Sequence, residues 1–212
     1  MKRCPALKDI GMITDATFAD INGDKQVDLL VVGEFMEMQV FLGNNGQFTP
    51  SKLKADTGLK GWWNKLHLFD ADGDGDLDIL AGNLGKNSRF KASENKPIRL
   101  YYSDFDNNGT AEGVMTFKAT DGKYYPYALR HNLVDQIKLL QKRFPNFDSF
   151  KNADITTIFK EEELVKAAVL ETNQLSTVLL INKGNLTFES VDLPAEVQFL
   201  SLIHISEPTR PY

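Results

Sequence analysis

Residues Asp70 to Asp78 read DADGDGDLD, with an acid at every odd position and glycine at the fourth and sixth. A hard cation such as Ca2+ takes about six to eight oxygen ligands, and a tight loop with an acid at every second residue can wrap one. Gly73 and Gly75 allow the left-handed backbone that such a turn needs. Asp70, Asp72, Asp74 and Asp78 are the candidate side-chain ligands, with the carbonyl of Asp76 turned inward. Two further stretches repeat the pattern. Asp20 to Asp28 (DINGDKQVD) offers Asp20, Asn22, Asp24 and Asp28 with Gln26 at the carbonyl position. Asp104 to Glu112 (DFDNNGTAE) offers Asp104, Asp106, Asn108 and Glu112 with Thr110. Three copies point to a repeat protein holding up to three Ca2+.

An EF-hand opens the same way but needs a bidentate glutamate at its twelfth position and a helix on either side. The twelfth positions here are Val31, Ala81 and Met115. The first two loops each lead into a short β-prone apolar run, Leu29 to Val32 and Ile79 to Ala81, that soon meets glycine. The ninth-position acid therefore closes the loop and a strand leaves directly from it. A single match of this kind could be an acidic turn that binds nothing, because Asp, Asn and Gly are common turn formers. The loops also differ among themselves. Lys25 stands where the others have glycine, a cost on the order of 1 kcal/mol if that residue is left-handed. The central loop is expected to bind tightest and the first weakest.

The elements that position these loops are short strands. Strands are expected near 16–19, 29–33, 39–42 and 47–49, with Asn44-Asn45-Gly46 as a hairpin turn. Others are expected at 65–69, where Leu66 and Leu68 alternate with Lys65 and His67, and at 79–81, 98–102, 114–118 and 124–127. His67 reads as a solvated residue on the alternate face. Then Leu129, Leu133, Ile137, Leu140 and Phe144 fall at helical spacing up to Pro145, and 156–168 gives a second helical stretch. Strands resume at 178–181 and 186–190 in parallel with Val40 to Phe48.

A loop of this form, a strand, and then Val40-Phe41-Leu42-Gly43-Asn44-Asn45-Gly46-Gln47-Phe48 resembles the FG-GAP or VCBS repeat, the blade unit of integrin-α-like β-propellers. KDIGMITDA (8–16), VVGEFM (31–36), GWWN (61–64) and GNLGKNSRFKAS (82–93) are similar to one branch. That branch comprises secreted bacterial repeat proteins that often end in an ASPIC/UnbV-type domain and are similar to cartilage acidic protein. The likeness covers about residues 5 to 199; Lys25 and the absence of an ASPIC/UnbV-type segment depart from it. It implies a mainly β fold, a partial propeller of about two to three blades with calcium loops and a small helical insertion. The expected organisation is blades over 1–127, the insertion over 128–172 and further blade strands over 173–199. Residues 200–212 open with LSLIHISEPTR, which resembles a translated sequencing-library adapter, and are expected to be a non-native tail, so His204 carries no chemistry.

Composition narrows the function. The net charge is −5, and the three loops hold eleven of the 29 acids, so the rest of the chain is net positive. Three Ca2+ would bring the whole to about +1. No basic stripe suggests nucleic acid, no 18-residue apolar run suggests a membrane span, and Cys4, the single cysteine, builds no disulfide framework or CxxC site. The start, Met1 to Pro5, has no apolar core of a signal peptide, so a leader of a secreted parent would lie upstream. Loops of this kind suit millimolar extracellular calcium, hence a secreted, periplasmic or cell-surface setting. The carboxylates are needed as ligands, and no GxSxG, HExxH or phosphate loop occurs, so no enzyme is expected. His131 reads as solvated. The expectation is a binding or scaffolding module for a protein or glycan ligand. The alternative is a carbohydrate-binding or carbohydrate-active module, lectin- or lyase-like. It would use Trp62 and Trp63, or Tyr124, Tyr125 and Tyr127 with Arg130, as stacking faces; packing between blades is the competing use of those rings.

Overall fold

The computed structural model describes residues 5–191 and 193–198. The adapter-like tail therefore lies outside the described residues, as do 1–4 and 192. The fold is mainly β with a curled half-barrel sheet, as in a partial β-propeller. The described residues divide into two compact units, one of those up to 91 and from 173 onward and the other of residues 92–172.

The first unit contains two four-stranded antiparallel meanders. The first runs β1 (Met12–Ala19), β2 (Asp28–Glu37), β3 (Gln39–Asn44) and β4 (Gln47–Ser51), each strand paired with the next. A two-residue strand, β5 (Lys54–Ala55), comes next. The second meander is β6 (Lys60–Phe69), β7 (Asp78–Asn83), β12 (Val178–Asn182) and β13 (Thr187–Val191). Its first two strands and last two are thus far apart in the chain, and the second unit is inserted between them. The resumption of the strand pattern at 178 is the second half of the same blade. β2 also pairs with β6, and β5 runs parallel to β13, which joins the two meanders into one nine-stranded sheet.

The apolar run of β2 has no polar alternation because both of its faces are covered. Leu30 and Val32 join Val40, Trp63, Leu66, Ile79, Ala81, Leu180 and Phe188 in the core shared by the two meanders. Leu29 and Val31 face the other way, with Phe41 and Met36, against Ala6, Leu7 and Ile10. Trp63 is fully buried, and its indole N–H donates to the Leu59 carbonyl at 2.9 Å. It is a core residue, closed to any ligand. Trp62 is half-buried between Phe35 and Phe90, with ring centroids 4.8 and 5.7 Å away.

The second unit holds β8 (Ile98–Ser103), β9 (Glu112–Lys118), β10 (Tyr124–Pro126) and β11 (Ala168–Thr172) in the order β10-β9-β8-β11. Five short helices lie between β10 and β11: α1 (Arg130–Gln136), α2 (Leu140–Arg143), α3 (Phe147–Phe150), α4 (Ile155–Ile158) and α5 (Glu161–Lys166). The helix expected from Leu129 to Phe144 is broken at Ile137, which leaves helical backbone at φ −120° and ψ 88°. The break still lets Leu133, Ile137, Leu140 and Phe144 all enter one core with Phe105, Ile158 and Phe159. The stretch expected from 156 breaks likewise at Phe159, and Ala168 opens a strand. Helical spacing marked Leu133, Ile137, Leu140 and Phe144 as buried, but Leu129, expected on the same face, is exposed, and tertiary packing set the breaks. The Tyr124 to Tyr127 aromatics and Arg130 are engaged locally. Arg99 lies 4.1 Å over the Tyr124 ring, the Tyr125 hydroxyl donates to Asp121, and Tyr127 packs on Phe117. Arg130 donates to the carbonyls of Phe144 and Pro145.

Candidate metal centres

Each acidic loop occupies the same place, the turn between a strand and its antiparallel neighbour: β1–β2, β6–β7 and β8–β9. Their internal bonding is also the same. The first-position carboxylate gathers backbone N–H groups from across the turn. Asp20 accepts from Gly23, Asp24 and Lys25, Asp70 from Gly73 and Gly75, and Asp104 from Asn108 and Gly109, at 2.7–3.1 Å. The fifth-position side chain accepts from the N–H two residues on, Asp24 from Gln26 at 2.8 Å, Asp74 from Asp76 at 2.9 Å and Asn108 from Thr110 at 2.7 Å. These are Asx turns.

Two positions in each loop are left-handed: Gly23, Gly73 and Asn107 at the fourth, and Lys25, Gly75 and Gly109 at the sixth. Lys25 therefore does adopt the strained backbone that its position demands, at φ 66°.

The ninth-position acid is buried in all three loops. Asp28, Asp78 and Glu112 each accept from the second-position N–H, of Ile21, Ala71 and Phe105, at 3.1, 2.7 and 2.9 Å. In the two blades the other oxygen reaches the third strand: Gly43 N–H donates to Asp28 at 2.9 Å and Asn182 N–H to Asp78 at 2.7 Å. Gly43 permits that approach, since a Cβ there would lie 2.0 Å from the Val27 carbonyl oxygen. In the second unit the third strand, β10, ends at Pro126, paired with Thr116, and so stops short of Glu112.

Three carboxylates converge in two of the loops. Oxygens of Asp70, Asp72 and Asp78 lie within 4.8 Å of one another, as do those of Asp104, Asp106 and Glu112. Oxygens bound to one Ca2+ at about 2.3–2.6 Å are at most about 5 Å apart, so both sets fit that ion. Asp74 is not in the central trio. The first loop has neutral Asn22 at the third position, and its amide donates to Asp24 at 3.0 Å while its oxygen accepts the Asp24 N–H. At the seventh position of the first loop, the Gln26 side chain takes the Asn45 N–H at 3.0 Å.

Asn182, Gly43 and Asn83 carried no signal as site residues. Asn83 is fully buried at the end of β7, where its side chain accepts from Trp62 and Leu84 and donates to the Gln174 carbonyl. Only the parallel between 178–190 and 40–48 could have drawn attention to Asn182.

A four-stranded meander with an acidic nine-residue loop at its first turn, present twice, is the plan of a propeller-blade repeat protein. Residues 10–81, about a third of the chain, match the family described as FG-GAP-like repeat, which supports an FG-GAP repeat over that span. The match runs from the start of the first blade through the second loop into β7. No curated protein and no solved structure matches the chain.

Proposed function

We propose that the three loops hold structural Ca2+ and that the chain is a non-catalytic binding or scaffolding module of an extracellular or cell-surface protein, its faces presented to a protein or glycan ligand. The observation that carries this reading is the convergence of Asp70, Asp72 and Asp78, and of Asp104, Asp106 and Glu112, each within 4.8 Å. FG-GAP repeats are generally calcium-binding and typically extracellular or at the surface, which supports both parts. Asp20, Asn22 and Asp28 are the equivalent set in the first loop. The ion would neutralise carboxylates that otherwise repel one another. The loop residues themselves fix the turn, because each first and ninth acid is already committed to backbone N–H groups, an arrangement that suits ligands better than a proton-shuttling pair. Among the described residues no helix is long and apolar enough to cross a membrane.

Binding to the folded state alone stabilises it, by about 2.7 kcal/mol at a hundredfold excess over Kd. The test is calorimetric titration with Ca2+ alongside thermal unfolding, on the wild type and on Asp72→Asn. The variant keeps the acceptor for the Asp74 N–H and removes one converging charge. The expected result is a Tm that rises with Ca2+ in the wild type and affinity at the central loop reduced at least about tenfold in the variant. The variant's metal-free stability should stay within about 0.5 kcal/mol of wild type, as for an exposed substitution. A folded protein with neither binding heat nor a Tm shift at millimolar Ca2+ would sink the calcium reading.

A further inference from the structure

One side chain touches both acidic loops of the first unit. Asn182, at the end of β12, is buried. Its Nδ2 donates to the carbonyl of Ile21 in the first loop at 3.2 Å and to that of Leu77 in the second at 3.1 Å. Its Oδ1 accepts from Gly184 N–H at 2.9 Å, which fixes the orientation of the amide, with the NH2 toward the two carbonyls. Its own N–H donates to Asp78, and Ile21 N–H donates to Asp28. The closing acids of the two loops are thus joined by an unbroken path, Asp78 to Asn182 to Ile21 to Asp28. A polar cleft of about 110 Å3 is lined by both loops and Asn182. In the second unit the hydrogen bond shown for Glu112 is the one within its own loop, from Phe105 N–H.

We propose that Asn182 is a positioning residue that couples the first two loops, so that Ca2+ in either one raises the affinity of the other. The proposal rests on the calcium reading above. An ion held by the second loop draws in Asp78, which is bonded to Asn182. Asn182 in turn holds the Ile21 carbonyl, and the Ile21 N–H orients Asp28. Ordering that path once serves both sites, so the second ion meets a loop already closed. The links are buried, where water competes least with such bonds. Repulsion between the two ions acts in the opposite direction, so a first-loop affinity raised by weakening the second loop also overturns the coupling proposed. Coupling is reciprocal, and typical values correspond to about 5- to 150-fold in affinity.

The full chain is titrated with Ca2+, and each loop is followed separately through the amide resonances of Gly23, Gly75 and Gly109. Asp72→Asn weakens the second loop, and the first is measured at Ca2+ concentrations that leave the weakened loop empty. The expected result is first-loop affinity reduced about fivefold or more, with the Gly109 loop unchanged. In an Asn182→Ala background, Asp72→Asn should then change first-loop affinity less than about twofold. Asn182→Ser, which keeps the backbone N–H to Asp78, gives the same comparison if the alanine variant does not fold. First-loop affinity indifferent to Asp72→Asn in the wild type, or equally sensitive with and without Asn182, overturns the coupling alone. Absence of binding at every loop overturns the calcium reading and the coupling with it.

Discussion

Lys25 sits at φ 66° where the sister loops place Gly75 and Gly109 at 94° and 87°. A side chain in left-handed backbone costs about 1–2 kcal/mol, and glycine returns roughly 0.5–1 kcal/mol of that through the freedom of the unfolded chain. Lys25→Gly is therefore expected to stabilise the protein by about 0.5–1 kcal/mol, read as a shift in the denaturant midpoint at unchanged slope. A lower midpoint would show that the lysine contributes something its backbone strain conceals. This conflict was legible in the sequence, as were the loops, because the backbone bonds to their first- and fifth-position side chains close within five residues. The second oxygens of Asp28 and Asp78 were not legible. Their donors lie 15 residues away at Gly43 and 104 residues away at Asn182, and nothing local about either donor marks it.

Among elements, the strands arose from β-prone apolar runs, whereas the helices did not hold their expected lengths. Short helices need fixed ends, and α4 takes its start from Asp154, which is buried and accepts from Thr156 Oγ1, Thr157 N–H and Thr157 Oγ1. The Lys123 ammonium lies 2.7 Å from its other oxygen. Burial opposes the charge of Asp154, but Lys123 and the threonine donors outweigh it and hold the carboxyl well below its usual range. The Lys123 ammonium is raised in turn by its hydrogen bond to Asp154. A depressed carboxyl contributes stability that is fully present above the unfolded pKa, about 3.9, and is lost as pH falls through the folded value. The second unit should thus lose stability on acidification below about pH 4, and Asp154→Asn should flatten that dependence. Unfolding monitored through the resonances of residues 92–172 at a series of pH values checks it. An identical acid profile for the two proteins would remove Asp154 from the account.

For the whole molecule, the informative feature is a blade interrupted after its second strand. Sequence periodicity located both halves but not their partnership, since a strand pair reveals itself by contact and these strands are separated by an entire second core. The two ends of the interruption meet within the first unit: Gly85 N–H donates to the Leu175 carbonyl at 2.7 Å, and Asn83 to Gln174 at 2.9 Å. Replacing residues 92–172 with a short Gly/Ser linker should leave the first unit folded. Its Gly23 and Gly75 amide resonances should keep their positions and its Tm should fall by no more than a few degrees. Collapse of those resonances would mean that the blade depends on its insert.

The interruption also sets an order of events as the chain is made. After β7 appears, its outer edge waits for β12, and the Asn83–Thr177 bond spans 94 residues. At about 5–20 residues per second that is roughly 5–20 s of exposed, unpaired edge. The insert shortens the search for the missing partner. Its own terminal strands pair, Ile98 opposite Thr172, so once it has folded, the long loop between the half-blades behaves as a short one. Loop-closure cost grows with the logarithm of length, and this prior closure removes about 1 kcal/mol of it. Weakening the β8–β11 pair, by removing the Arg99–Glu171 bridge at 2.6 Å, should slow the closing of a blade to which neither residue belongs.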